Sequence, residues 1–137
     1  MQSNIRKAFD KKLVGMPNGL GIKNTAFENA SFKPKNTDGY QQTKLTPLPV
    51  ENPTFGGNYH REVGFYQVTL SYPTGVGVSD IVEMADKIKD YFKRSTLLIE
   101  GTDKIIVDRT PDISSTYINE TRVELNIRIR YYSEQFQ

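Results

Sequence analysis

The segment that most restricts the possible folds of this chain is residues 61–92, where a strand pattern runs into a helix pattern. Apolar residues fall at every second position from Tyr66 to Tyr72, the period of a strand that buries one face. A Pro-Thr-Gly-Val-Gly stretch at 73–77 interrupts the strand, and Ser79 with Asp80 predicts a helix start. Helical spacing then relates Ile81, Ala85, Ile88 and Phe92, flanked by Met84 and Tyr91. The block predicts a strand covered by the helix that follows it.

A second strand pattern, near the end of the sequence, is more regular. The strand is predicted from Glu120 to Tyr132, and within it polar and apolar side chains alternate over ten residues. One face is predicted to hold Val123, Leu125, Ile127, Ile129 and Tyr131, and the other Arg122, Glu124, Asn126, Arg128 and Arg130. Such alternation indicates one buried face and one face in water. We expect this strand to lie centrally in a sheet and to pair antiparallel with residues 63–72.

The other segments complete a fold of the α+β class. The patterns predict a helix at Ser3–Val14, strands at Ile22–Phe27 and Tyr40–Leu48, a hairpin at Leu97–Asp108 and a polar connection at Thr110–Asn119. A chain of 137 residues is long enough to bury roughly two thirds of its unfolded surface. We therefore expect a single domain over residues 1–137, with two helices packed on one face of a mostly antiparallel or mixed sheet.

One segment, Val50–His60, has no periodicity and is predicted to be a mobile loop or a long hairpin arm. Its aromatic residues, Phe55 and Tyr59, either stack on bases, anchor a partner or fold back on their own domain. An intermolecular contact is favoured, because such a loop offers few local partners. Phe55, Tyr59, His60 and the adjacent Arg61 are the first candidate interface residues.

The polar face of the last strand supplies the second group of candidates, Arg122, Glu124, Arg128 and Arg130. These side chains either form a solvated face, pair across a subunit boundary or face a channel that carries DNA. Because Glu124 stands among the arginines, simple attraction to phosphate is not favoured. A solvated face or ion pairs between subunits is the preferred interpretation.

Catalytic, cofactor and metal sites are not predicted. Cysteine is absent, and His60 is the only histidine, in a segment where an exposed polar residue is expected. Asp103, Asp108 and Asp112 do not fit the spacing of a calcium loop and are interpreted as solvated turn carboxylates. The glycines within 75–77 lack the third glycine of a dinucleotide site, and they are interpreted as a tight reversal of the chain. The sequence therefore predicts a protein that is not an enzyme.

The charge pattern does not favour general nucleic-acid binding as the main role. The 18 basic and 16 acidic residues give a net charge of +2, without a concentrated basic stripe. Residues 1–60 hold eight Lys or Arg against four Asp or Glu, and residues 61–137 hold ten against twelve. The N-terminus does not resemble a signal peptide, and no apolar run approaches the ~20 residues of a membrane span. We expect a soluble protein with no membrane partner.

The order of several short motifs resembles the tail-terminator-like proteins of long-tailed bacteriophages. Each motif is weak alone, and their order and spacing along nearly the whole chain carry the resemblance. The motifs are Glu28-Asn29 with Phe32-Lys33-Pro34, Tyr40 with Leu45-Thr46-Pro47-Leu48-Pro49, Gly64-Phe65-Tyr66-Gln67-Val68, Pro73-Thr74-Gly75-Val76-Gly77, Ala85-Asp86 and the final alternating strand.

This resemblance implies a structural virion protein rather than an enzyme. Members are expected to form a hexameric ring on the last ring of a tail tube, to stop polymerisation there and to present the surface that joins the head. The implied partners are further copies of the chain, the tail tube protein and a head–tail connector protein, with DNA only passing through the lumen. The implied location is the head-proximal end of the virion tail, assembled in the host cytoplasm. The alternatives are a head–tail connector or completion protein and, from a different class, a small nucleic-acid-binding module.

Overall fold

A computed structural model describes residues 2–28, 39–49, 59–75 and 78–136. Its helices are α1 (Gln2–Val14) and α2 (Ser79–Tyr91), with a short 3-10 turn at Ile22–Asn24. Its strands are β1 (Thr25–Ala26), β2 (Tyr40–Pro47), β3 (Tyr59–Pro73), β4 (Leu97–Glu100), β5 (Asp103–Val107), β6 (Asp112–Ile113), β7 (Tyr117–Asn119) and β8 (Arg122–Phe136). The predicted α+β class is confirmed.

The strands form one mixed, curled sheet built around its two longest members. The order is β1-β2-β3-β8-β5-β4, and β6 and β7 also pair with β8. β3 and β8 are antiparallel neighbours from the Tyr59–Phe136 pair to the Pro73–Arg122 pair. The β1–β2 pairing is parallel, and the other pairings are antiparallel. The central position of the last strand, and its pairing with the strand before the glycine stretch, are confirmed.

Both helices lie on one face of this sheet, as predicted. Phe9 of α1 is fully buried, stacks on Tyr66 with ring centroids 4.6 Å apart, and lies 5.9 Å from Phe92 and 5.5 Å from Tyr131. The apolar stripe of α2, with Ile81, Ala85 and Ile88, enters the same core. The side chains predicted to face inward from the last strand are buried from Leu125 to Tyr131, and Val123 packs at the margin. Burial of aromatic and branched side chains is the main stabilising contribution here.

Three local predictions were wrong. Of the strand expected at Ile22–Phe27, only Thr25–Ala26 pairs with a neighbour. The helix start predicted at Ser79 is confirmed, since α2 begins there, and the N-cap before it, Val78, makes no side-chain capping bond. The connection expected at Thr110–Asn119 contains the short strands β6 and β7. Glu120, expected in the last strand, lies in the preceding turn with φ of 58°.

The expected loop at Val50–His60 is only partly described. Tyr59 and His60 are the first residues of β3, because the end of β8 provides them with a pairing strand. The rest of that segment, including Phe55, lies outside the described residues. The same holds for the motif at Phe32-Lys33-Pro34 and for Val76-Gly77.

Candidate interaction surface

The face of the sheet opposite the helices, called the open face below, carries most of the predicted interface residues. In β8 they alternate with the buried residues of the core, and their register partners in β3 lie on the same face. The pairs are Arg61 with Glu134, Phe65 with Arg130, Gln67 with Arg128, Ser71 with Glu124 and Pro73 with Arg122. The register therefore brings Arg61 and the second group of candidates onto one surface.

At one end of the open face, Arg122 is held by its neighbours on the same chain. Its Nε donates to Ser71 Oγ at 2.7 Å, and its Nη2 donates to the Ser71 carbonyl at 2.9 Å. The guanidinium group lies 4.7 Å from the centre of the Tyr40 ring. Hydrogen bonds to a charged donor together with a cation–π contact fix this side chain in one direction.

Phe65 lies between two arginines in the middle of the open face. The guanidinium groups of Arg128 and Arg130 are 5.5 and 6.0 Å from its ring centre. Arg128 Nε donates to Gln67 Oε1 at 3.3 Å. Arg130 Nε lies 3.2 Å from Asp108 Oδ2, an ion pair in which this N–H is not aligned on the oxygen. These arginines are thus engaged with side chains of their own subunit.

The other end of the open face repeats this arrangement around Arg61. Arg61 Nη2 donates to Glu134 Oε1 at 3.0 Å, and its guanidinium group lies 4.9 Å from the Tyr132 ring centre. The open face is therefore neither a free basic surface nor a simple solvated one. Its charges form pairs and cation–π contacts within the chain, and their role between subunits stays a prediction.

Glu124 is buried, contrary to the expected solvated face, with 6% of its surface exposed. Asn119 Nδ2, from the β7–β8 hairpin, donates to Glu124 Oε1 at 3.1 Å and compensates part of the cost of burying the carboxylate. Beside it lies an open cavity of about 560 Å³ lined by polar side chains and by the hairpin turn. The lining residues are Tyr40, Pro73, Thr74, Asn119, Glu120, Thr121, Arg122 and Glu124.

His60 also differs from the prediction. It was expected as an exposed loop residue, but it lies in β3 and is 7% exposed, with Nε2 3.9 Å from Glu62 Oε1. The pairing with Gln135 in β8 extends the strand past the point where its alternation can be recognised. Tyr59 precedes it as the first residue of β3. His60 is therefore part of the sheet rather than of a loop.

A partly buried polar pair on the covered face was not predicted. The Tyr66 hydroxyl donates to the Asp10 carboxylate of α1. Burial raises the pKa of Asp10 above its usual value, against the lowering effects of the Tyr66 hydrogen bond and Arg6. Burial and the Asp10 charge raise the pKa of Tyr66 well above its usual range. This pair fixes α1 to the sheet, with the Tyr66 side chain buried and Asp10 half-buried.

Exposed apolar side chains were also missed. Leu97 and Ile99 project from β4, and Val78, Val82 and Ile118 lie around the start of α2 and in β7. The signal that could have predicted these exposed residues was the Leu-Leu-Ile run of β4. A strand with apolar residues on both faces is covered on both faces in many sheets.

Among the described residues there is no group of acidic, histidine or cysteine side chains that could hold a metal. The described helices are also too short or too polar to cross a membrane.

Comparison with known proteins agrees with the resemblance seen in the motifs. The family described as phage tail terminator protein matches residues 4–131. A solved structure with 20% sequence identity aligns at a TM-score of 0.79, covering 100% of this chain and 97% of that chain. At that identity the likeness supports the fold alone. No curated protein matches significantly. The match over nearly the whole chain shows that it belongs to the phage tail terminator family, a family of phage structural proteins.

Proposed function

We propose that this protein closes the phage tail tube as a hexameric ring, stops further polymerisation and presents the surface to which the head attaches. The observation that carries the proposal is the family match over residues 4–131, which leaves little of the chain for an unrelated activity. In the proposed virion it occupies the head-proximal end of the tail, after assembly in the host cytoplasm. Its partners there are the tail tube protein below and a head–tail connector above.

Termination of a tube is a problem of matching surfaces. A tube grows because the top of each ring fits the bottom of the next, a contact between unlike surfaces that repeats without closing along the axis. A terminator ring has a lower face that fits the tube and an upper face that does not fit another tube ring. Growth then ends because the next subunit has no complementary surface, and no reaction is required.

The paired charges of the open face are consistent with DNA that passes through the ring without binding to this face. Tight binding to phosphates requires side chains that can replace counterions along the DNA backbone. Arg61 and Arg130 already lie beside carboxylates, and Arg122 is bonded to Ser71. We propose that DNA crosses the ring through its lumen without a dedicated binding site on this face.

Deletion of the gene from its phage, followed by electron microscopy of the tails, tests the proposal. Overlong tubes without heads are expected, with normal length restored when the gene is supplied on a plasmid. Tails of normal length that lack heads would contradict termination and would support a connector instead. Phage with unchanged tails and attached heads would contradict both roles.

A further inference from the structure

The described surface contains two groups of exposed apolar side chains, separated by the length of the sheet. The first, the end patch, consists of Val78, Val82 and Ile118, and Ile118 is 74% exposed. The second, the edge patch, consists of Leu97 and Ile99 of β4, and Ile99 is 62% exposed. Exposed branched and aliphatic side chains in groups commonly mark contact surfaces.

The end patch lies on the helix-covered face at one end of β8. Ile118 is the register partner of Val123, which packs against the core, so both side chains are on that face. Val123 is in turn paired with Tyr72, and both pack against the core that contains Ile81 of the first turn of α2. Burial, and to a smaller extent the charge of Asp80, raises the pKa of Tyr72. The first turn of α2, with Val78 beside it, therefore overlies the same end of the sheet as Ile118.

The edge patch lies on the opposite face and towards the opposite end. Leu97 pairs with Ile106, Ile106 pairs with Tyr132, and Tyr132 shares the open face with Arg130. From Val123 to Tyr132 the distance is about 30 Å along β8, at roughly 3.3 Å per residue. The two patches therefore point in different directions from separate ends of the molecule.

The charges around the two patches are of opposite sign. Exposed Asp86 of α2 is one helical turn from Val82 of the end patch, and exposed Glu83 is next to Val82 in the sequence. Exposed Arg94 precedes β4, and exposed Lys104 is the register partner of Ile99. A contact between the two patches would bring acidic and basic rims together, which favours that pairing over contact between two like patches.

We propose that the end patch of one subunit docks on the edge patch of the next, so that a second copy of this chain covers both. Two complementary surfaces in different places on one molecule form a heterologous contact, and repetition of such a contact closes a ring when the rotation permits. The inference rests on the proposed ring and deepens it by naming the surfaces that join its subunits. Apolar centres with charged rims are typical of such interfaces.

Site-specific cross-linking tests this pairing, because the natural chain has no cysteine. Purified full-length variants Ile99→Cys, Ile118→Cys and the double variant are treated with a short bis-maleimide. The double variant is expected to give a ladder of covalent multimers ending at the ring, and a mixture of the two single variants is expected to give dimers. Each single variant alone should remain monomeric. Ile22→Cys is the matched control, since Ile22 is 65% exposed and lies in neither patch.

Several outcomes would overturn the pairing. Dimers from a single variant alone would indicate contact between like patches, and equal yields with Ile22→Cys in place of Ile99→Cys would indicate random collision. If the purified chain is monomeric, the same variants are supplied to the phage and cross-linked in isolated tails, where the absence of 99–118 products also overturns it. Because the proposed function is judged by tail length in the deletion, failure of that function and failure of this pairing are distinguishable.

Discussion

The two faces of the sheet differ in the kinds of side chain that they hold and in how those side chains are packed. The covered face is an aromatic and aliphatic core in which Phe9, Tyr66 and Tyr131 contact one another and α2 closes the remaining side. The open face is polar, and its arginines are held over Phe65, Tyr40 and Tyr132 by cation–π contacts and ion pairs. Apolar burial contributes far more free energy per residue than partly exposed charge pairs. We infer that the covered face provides most of the free energy of folding. The open face instead determines how the charged side chains are arranged on the surface.

The largest expected difference between the faces is between two phenylalanines. Phe9→Ala should lower the free energy of unfolding by about 3–5 kcal/mol, because it empties a fully buried site. Phe65→Ala should cost about 1 kcal/mol, because that ring is only partly buried beneath two guanidinium groups. Urea unfolding followed by circular dichroism measures both. Equal losses would show that the open face contributes to stability as much as the core.

Gly64 provides a second test of the packing on the covered face, because its surroundings leave no space for a side chain. A Cβ atom at Gly64 would lie 2.6 Å from the Thr46 carbonyl oxygen and 2.6 Å from the Tyr131 hydroxyl. Gly64→Ala should therefore cost about 1–3 kcal/mol by overpacking. Adding Tyr131→Phe to Gly64→Ala should recover part of this loss, because it removes the contact with the hydroxyl while the contacts with the carbonyl oxygen and with the ring carbon Cζ, at 2.9 Å, remain. An unchanged urea midpoint in the single variant would contradict the close approach.

Two carboxylates near α1 are expected to respond to acid in opposite directions. Arg6, above all through its hydrogen bond to the carboxylate, lowers the pKa of Glu28, which also accepts the Leu45 amide at 3.1 Å. The stability from Glu28 is therefore present above its unfolded pKa of 4.5 and is lost as the pH falls through its lower folded value. Burial raises the pKa of Asp10, so the cost of ionising Asp10 is removed as the pH falls towards 3.8.

Single substitutions separate these two titrations. Glu28→Gln should lower stability at neutral pH by about 1 kcal/mol or less and should reduce the loss on acidification. Asp10→Asn should leave the Glu28 response and so make the loss on acidification steeper. Urea midpoints measured between neutral pH and about pH 3.5 give the dependence of stability on pH for each variant. Parallel curves for the wild type and both variants would contradict the opposed titrations.

The alternating patterns predicted the two faces well, whereas features that depend on distant partners were missed. Tyr66–Tyr72 and Val123–Tyr131 have a local period of two, so their buried sides and their pairing were recognisable. His60 joins a strand only because Gln135 pairs with it, and Glu124 is buried beside Asn119 of another strand. The start of α2 at Ser79 was also recognisable from the sequence, although Val78 occupies the N-cap without a capping side chain. Sequence patterns alone also placed the arginines on the correct face without indicating that their partners lie within the chain.

The smallest expected effect concerns the ion pair between Arg130 and Asp108. Both side chains are about one third exposed, at 30% and 38%, so water and salt screen their attraction. Arg130→Met should cost about 0.2–1 kcal/mol, and a double-mutant cycle with Asp108→Asn should give a coupling within that range that declines in high salt. Arg128→Met is the matched control, because Arg128 also lies over Phe65 but bonds to the neutral Gln67. A coupling of several kcal/mol, unaffected by salt, would mean that the open face contributes to folding as strongly as the covered one.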